Sequence, residues 1–145
     1  MAQEAKFSIN IKPRVLDELR GTGVVSAEHF LVYRTDAAFA YLEKVGIPLR
    51  PNPVPVVLRW DVALISPLGI GEELKISVRT TRLGRSSYAT EFQLNEASSG
   101  RPVATIYETG VLMDLETGRS TPWLEEDKQK VIAFEGKENI EVAER

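Results

Sequence analysis

A change of period constrains this chain more than any other feature. From Ala27 to Val45 apolar residues return every three or four positions, whereas from Val56 to Asp114 they return at every second position. The first spacing puts apolar groups on one side of a helix, and the second puts them on one side of a strand. Ala27, Phe30, Leu31, Ala37, Ala38, Tyr41, Leu42 and Val45 therefore predict one long helix. Ser26 is its expected N-cap, Glu28 suits the dipole in its first turn, and Gly46 with Pro48 stops it. Val56, Leu58, Trp60, Val62 and Leu64 predict a strand face opposed by Arg59 and Asp61. Leu74, Ile76, Val78 and Thr80 predict a second strand, Tyr88, Thr90, Phe92 and Leu94 a third, and Val103 to Asp114 a fourth. The turns at Pro67–Gly71, Leu83–Ser86 and Ser98–Gly100 are short, which makes the run an antiparallel meander.

Ahead of the helix, Phe7, Ile9 and Ile11 alternate with polar residues and predict a strand ending at Pro13; Arg14 to Gly23 is irregular. After Gly118 a short amphipathic helix is expected through Trp123 and Val131, and the charged segment 137–145 is expected to fray. The fold class is thus α+β, one domain over residues 1–136 followed by a tail. One helix covers only one face of a five-stranded sheet. The last strand is apolar on both faces, with Val103, Tyr107, Val111 and Met113 on one and Ala104, Ile106 and Leu112 on the other. A partner subunit is the expected cover, in a homodimer or a dimer of dimers.

Composition removes several functions. The 145 residues hold one core, and 18 Lys and Arg against 21 Asp and Glu give a net charge of -3, unsuited to nucleic acid or an anionic membrane. No stretch approaches the roughly 20 apolar residues of a spanning helix. The N-terminus Met-Ala-Gln-Glu-Ala-Lys lacks the apolar centre of a signal peptide, so a cytoplasmic location is expected. There is no cysteine, hence no disulfide or thiol nucleophile, and the single histidine, His29, allows no His-rich metal site.

Gly23-Val24-Val25, Phe30 in the helix, Asp36-Ala37 further along, Pro53 to Val57, Ser66-Pro67-Leu68-Gly69, Gly71-Glu72, Leu83 to Ser87 and Asp114 to Arg119 occur in an order that resembles the hotdog-fold acyl-CoA thioesterases, specifically the 4-hydroxybenzoyl-CoA thioesterase-like group. The resemblance covers about residues 6 to 125. It implies a long helix packed on a five-stranded antiparallel sheet, hydrolysis of an acyl-CoA thioester, and no cofactor or metal beyond the coenzyme A of the substrate. The chain departs from the group at one important place. The catalytic aspartate of the group falls three residues before the glycine matching Gly23, and Arg20 stands there.

Two registers supply a substitute acid. An insertion in the loop brings Asp17 to the role. Alternatively, Thr35-Asp36-Ala37-Ala38-Phe39-Ala40-Tyr41 resembles the helix of phenylacetate-pathway thioesterases, and that register makes Asp36 the catalytic carboxylate, desolvated and raised in pKa. Glu28 and His29 share the first helical turn and are further candidates. A carboxylate serves as base or nucleophile, and amides at a helix start stabilise the oxyanion. Gly23, Val24, Val25 and Ser26 are the expected oxyanion segment, and Arg85, Ser86 and Ser87 the expected contact to coenzyme A phosphate. Trp60 and Tyr88 read as core or dimer contacts. Two alternatives stand beside hydrolysis: a non-catalytic acyl-thioester binder, suggested by Arg20, and a hotdog dehydratase or hydratase, which needs an acid paired with His29.

Overall fold

The computed structural model describes residues 4–143. Strand β1 (Phe7–Ile11) leads through a single 3-10 turn at Val15–Asp17 to helix α1 (Glu28–Val45). Strands β2 (Val54–Leu64), β3 (Leu74–Leu83), β4 (Ser87–Glu96) and β5 (Pro102–Asp114) follow, then the two-residue β6 (Arg119–Ser120), helix α2 (Glu125–Glu135) and the two-residue β7 (Glu141–Val142). The sheet order is β1-β3-β4-β5-β2, antiparallel throughout, with β6 added beside β5 and β7 parallel to β3. This is the expected α+β hotdog architecture, one long helix laid across one face of the meander. No helix among the described residues is long and apolar enough to cross a membrane.

The core forms where the two periods meet. Phe30, Tyr33, Ala37 and Tyr41 from α1 pack on Leu74, Ile76, Val78, Phe92, Leu94, Ala104 and Ile106. Ala37 is wholly buried, and its small side chain lets the helix approach the sheet closely. Each large side chain buried here contributes roughly 1.5–3 kcal/mol. At the end of α1 Gly46 adopts a left-handed φ of 97°, and its N–H caps the carbonyls of Leu42 and Glu43.

Four expectations need correction. The N-cap is Ala27, not Ser26, whose hydroxyl instead donates to Glu28 Oε1 at 2.7 Å. In β2 a bulge inserts Leu58 between Val57 and Arg59. The extra residue breaks the alternation, so Val56 pairs with Val111 on the outer face while Trp60, Val62 and Leu64 lie on the helix face. The described part of the segment expected to fray, residues 137–143, folds back: Ile140 is buried against Leu83 and Val131, and Glu141–Val142 pairs with Arg82 and Leu83, while 144–145 lie outside the described residues. Trp123 precedes α2 rather than lying in it.

The exposed apolar surface also lies elsewhere than expected. The outer sheet face is largely polar, with Lys75, Ser77, Arg79, Glu91 and Gln93, and Tyr107 is its exposed aromatic. Uncovered apolar groups line the β2 edge, where Leu58 is 65%, Val62 43% and Leu64 61% exposed, and the flank of α1 at Val32 and Phe39; Val15 and Leu16 ahead of α1 and Leu49 after it are exposed as well.

Candidate active site

The start of α1 is tied down by one buried carboxylate. Asp17, 1% exposed, accepts the Tyr33 hydroxyl at 2.5 Å, the Arg14 backbone N–H at 3.1 Å and the Arg14 guanidinium at 3.2 Å. His29 Nε2 stands 3.4 Å from its Oδ1. The Tyr33 hydrogen bond above all, followed by those of Arg14, outweighs burial and holds Asp17 at about 2, against an ordinary 3.8. Burial and the neighbouring anion push the Tyr33 phenol well above its usual value. The Asp17 carbonyl also accepts the Ser26 amide. Asp17 thus anchors the helix start from both its side chain and its backbone.

This anchoring changes which amides are free. Val25 N–H donates to the Leu68 carbonyl at 2.8 Å and Ser26 N–H to that of Asp17 at 2.8 Å, so neither is available to an oxyanion, contrary to expectation. Val24 N–H leans on the Thr22 hydroxyl at 3.4 Å. Among the described residues, the amides of Ala27 and Glu28 have no acceptor. They lie at the exposed head of α1, where the helix dipole favours negative charge. The Glu28 side chain is exposed beside them, with one oxygen bonded to Ser26 and the other unengaged.

Farther along α1 a second buried cluster separates helix from sheet. Arg34 Nη1 donates to Glu108 Oε1 at 2.7 Å, Trp60 Nε1 to the same oxygen at 2.8 Å and the Tyr88 hydroxyl to Oε2 at 3.1 Å. The guanidinium also lies 5.1 Å from the Trp60 ring centroid, a cation–π contact. Burial pushes the Tyr88 phenol above its usual range. Beside this cluster lies a partly open cavity of about 90 Å³, which shares lining residues with a groove of about 670 Å³. Ala38, Leu42, Tyr88, Glu108, Trp123 and Asp127 border both. Sequence reading missed Arg34, Glu108 and Asp127, and assigned Trp60 and Tyr88 to packing alone. A signal was present: Glu108 interrupts the inward series Ala104, Ile106, Gly110, Leu112, and Arg34 falls on the same helix face as Phe30, Ala37 and Tyr41.

The other candidates are dispersed. Asp36 is exposed, and among the described residues its side chain makes no hydrogen bond or ion pair, so it is not desolvated within the chain. It stands eight residues from Glu28, about 12 Å along the helix axis. Arg85, Ser86 and Ser87 form the hairpin between β3 and β4, where the carbonyls of Arg85 and Ser86 accept the amides of Trp123 and Leu112. The helix head and this hairpin lie at opposite ends of the sheet. The Leu68 turn that holds Val25 precedes Leu74, and the hairpin follows Leu83, about 30 Å away at the strand rise. Within one chain, Gly23–Ser26 and Arg85–Ser87 therefore do not meet.

One long helix laid across an antiparallel β1-β3-β4-β5-β2 sheet is the architecture of the hotdog class. The chain belongs to the thioesterase-like superfamily, whose family model matches residues 16–131. Among solved structures it is similar to a thioesterase from Thermus thermophilus complexed with coenzyme A and Zn. That pair shares 28% identity over 89% of this chain and 93% of the other, with a TM-score of 0.76. A 1,4-dihydroxy-2-naphthoyl-CoA thioesterase from Synechocystis matches in fold at a TM-score of 0.77, with 18% identity over 88% of this chain and 95% of the other. No curated protein matches the sequence.

Proposed function

We propose that the protein hydrolyses an acyl-CoA thioester to the free acid and coenzyme A, in a homodimer joined along β2. The observation that carries the reading is the pairing, at the head of α1, of two amides without acceptors and the Glu28 carboxylate with an unengaged oxygen. Glu28 takes a proton from water, and the resulting hydroxide adds to the thioester carbonyl carbon. Charge developing on the carbonyl oxygen is met by the amides of Ala27 and Glu28. The carbon–sulfur bond then breaks, and the proton held by Glu28 returns to the departing sulfur. Asp17 is a poor base by comparison. It is sealed from solvent and its lone pairs are engaged, so its part is to position the helix head.

The dimer follows from the edge. An edge strand presents unpaired N–H and C=O groups, and β2 adds exposed apolar side chains to them. Antiparallel pairing of two β2 strands across a two-fold axis sets the Leu64 end of one against the Val54 end of the other. The Leu64 end adjoins the helix head and the Val54 end adjoins the groove and the Arg85 hairpin. Each helix head then faces its partner's groove, which receives the acyl chain, while the Arg85 guanidinium is placed to meet phosphate.

The test is release of free thiol from a panel of acyl-CoAs. Glu28→Gln is expected to lower kcat about 100-fold with coenzyme A binding retained, and Asp36→Asn to leave kcat within about twofold. Coenzyme A binding with no hydrolysis of any acyl-CoA by the unaltered protein would favour a non-catalytic binder instead. The Asp17–His29 contact supports a second reading, hydration of an enoyl-CoA, which loss of enoyl absorbance would detect.

A further inference from the structure

Four buried side-chain atoms among the described residues lack any hydrogen-bond partner: His29 Nδ1, Arg34 Nε, Arg79 Nε and Asp127 Oδ1. Both guanidinium groups are bonded through their other nitrogens, and the imidazole belongs to the cluster around Asp17. Asp127 differs from all three. It is an anion, it is 2% exposed, and it borders both the cavity and the groove. Its Oδ2 accepts the Arg50 guanidinium at 2.6 Å, while Oδ1 receives nothing. Leaving a carboxylate oxygen without a donor beside an apolar wall is costly, and such atoms in native proteins have a reason.

Several polar groups nearby are already engaged. The Asp127 amide is bonded to the Leu124 carbonyl. Along the wall the Tyr41 hydroxyl is engaged with Glu135 and Thr80, the Tyr88 hydroxyl with Glu108, and the Trp123 indole with the Ser87 carbonyl. Lys128 follows Asp127 directly on α2, and side chains adjacent in a helical sequence do not face each other. A ligand that carries a hydrogen-bond donor into the groove would satisfy this oxygen. Arg50 already balances the charge of Asp127, so a second cation in this apolar space would be left uncompensated. A neutral O–H satisfies the oxygen without that penalty.

We propose that Asp127 is a specificity-determining residue whose Oδ1 accepts a hydrogen bond from a hydroxyl carried on the acyl chain in the groove. This rests on the hydrolysis reading above and names the acyl class it favours, a hydroxyacyl group. The test compares straight-chain acyl-CoAs of graded length with their ω-hydroxy analogues. For the chain length that reaches Asp127, the hydroxylated member should have a kcat/KM about tenfold higher, equivalent to about 1.4 kcal/mol. Asp127→Leu should abolish the preference by slowing the hydroxylated substrate about tenfold more than its partner, and Asp127→Asn, which keeps the shape, should weaken it. A merely structural role would depress both substrates alike. Equal rates for every pair in the unaltered protein, as expected if only water sits on Oδ1, or a preference that survives Asp127→Leu, would overturn the proposal. If neither member of any pair is hydrolysed, the hydrolysis reading fails, and calorimetric binding of the same pairs still decides the role of Asp127.

Discussion

At the scale of single residues, Asp17 shows how a carboxylate can lie in the right place for catalysis and still serve the fold. Its carboxyl is held at about 2 against 3.8, so the ionised form favours the folded state. A depressed folded-state value contributes stability that is complete above the unfolded value and fades as pH falls through the folded one. Asp17→Asn should therefore cost about 2 kcal/mol at neutral pH by removing an acceptor from the Tyr33 and Arg14 donors. The gap in melting temperature between the variant and the unaltered protein should narrow as pH falls from about 4 to about 2. A gap constant across that window would show that ionisation of Asp17 contributes nothing. Neither the role of Asp17 nor that of Glu108 was legible in sequence. Asp17 depends on Tyr33, sixteen residues away, and Glu108 on Arg34, seventy-four residues away. Such pairings are made by the fold and leave no local pattern.

Among the elements, α1 and the meander could be read directly because each carries its own period and its own stop signals. What sequence concealed were places where one residue alters a register. Leu58 adds a bulge to β2, and no composition or spacing distinguishes it from its apolar neighbours. The folded-back segment 137–142 was concealed for a related reason: its charges face solvent while Ile140 alone enters the core. Gly110 is a third such position. It pairs with Val57 in β2 and lies beneath the Tyr88 ring, which crosses it on the way to Glu108. A β-carbon at this position would stand 2.6 Å from the Tyr88 hydroxyl oxygen and run into the Val56 carbonyl, a backbone group that cannot turn aside. Gly110→Ala is expected to cost about 3 kcal/mol in denaturant unfolding. A loss below about 0.5 kcal/mol, the range of neutral surface changes, would mean that β2 and β5 are less tightly joined than their register implies.

For the molecule as a whole, the sequence pointed to a partner through the two apolar faces of β5, and the structure moves that evidence to the β2 edge. The distinction bears on chemistry. A partner on the outer sheet face would leave the helix head and the groove apart, whereas pairing along β2 sets the head of one protomer at the groove of the other. The resemblance in sequence names residues at both ends of the sheet, and the proposed dimer assigns them to different protomers, because spacing along one chain carries no information about a two-fold axis.

Complementation between two inactive variants measures this arrangement most directly. Glu28→Gln removes the base but keeps the groove, and Ala38→Phe fills the space bordered by Ala38 and Tyr88 but keeps the base. Each variant, checked for folding and dimer formation, is expected to hydrolyse acyl-CoA poorly alone. Refolded together in equal amounts, half of the dimers are mixed, and one site in each mixed dimer combines Glu28 of one protomer with the open groove of the other. The expected recovery is about one quarter of the unaltered activity. A mixture no more active than the two variants measured separately would contradict a site shared across β2.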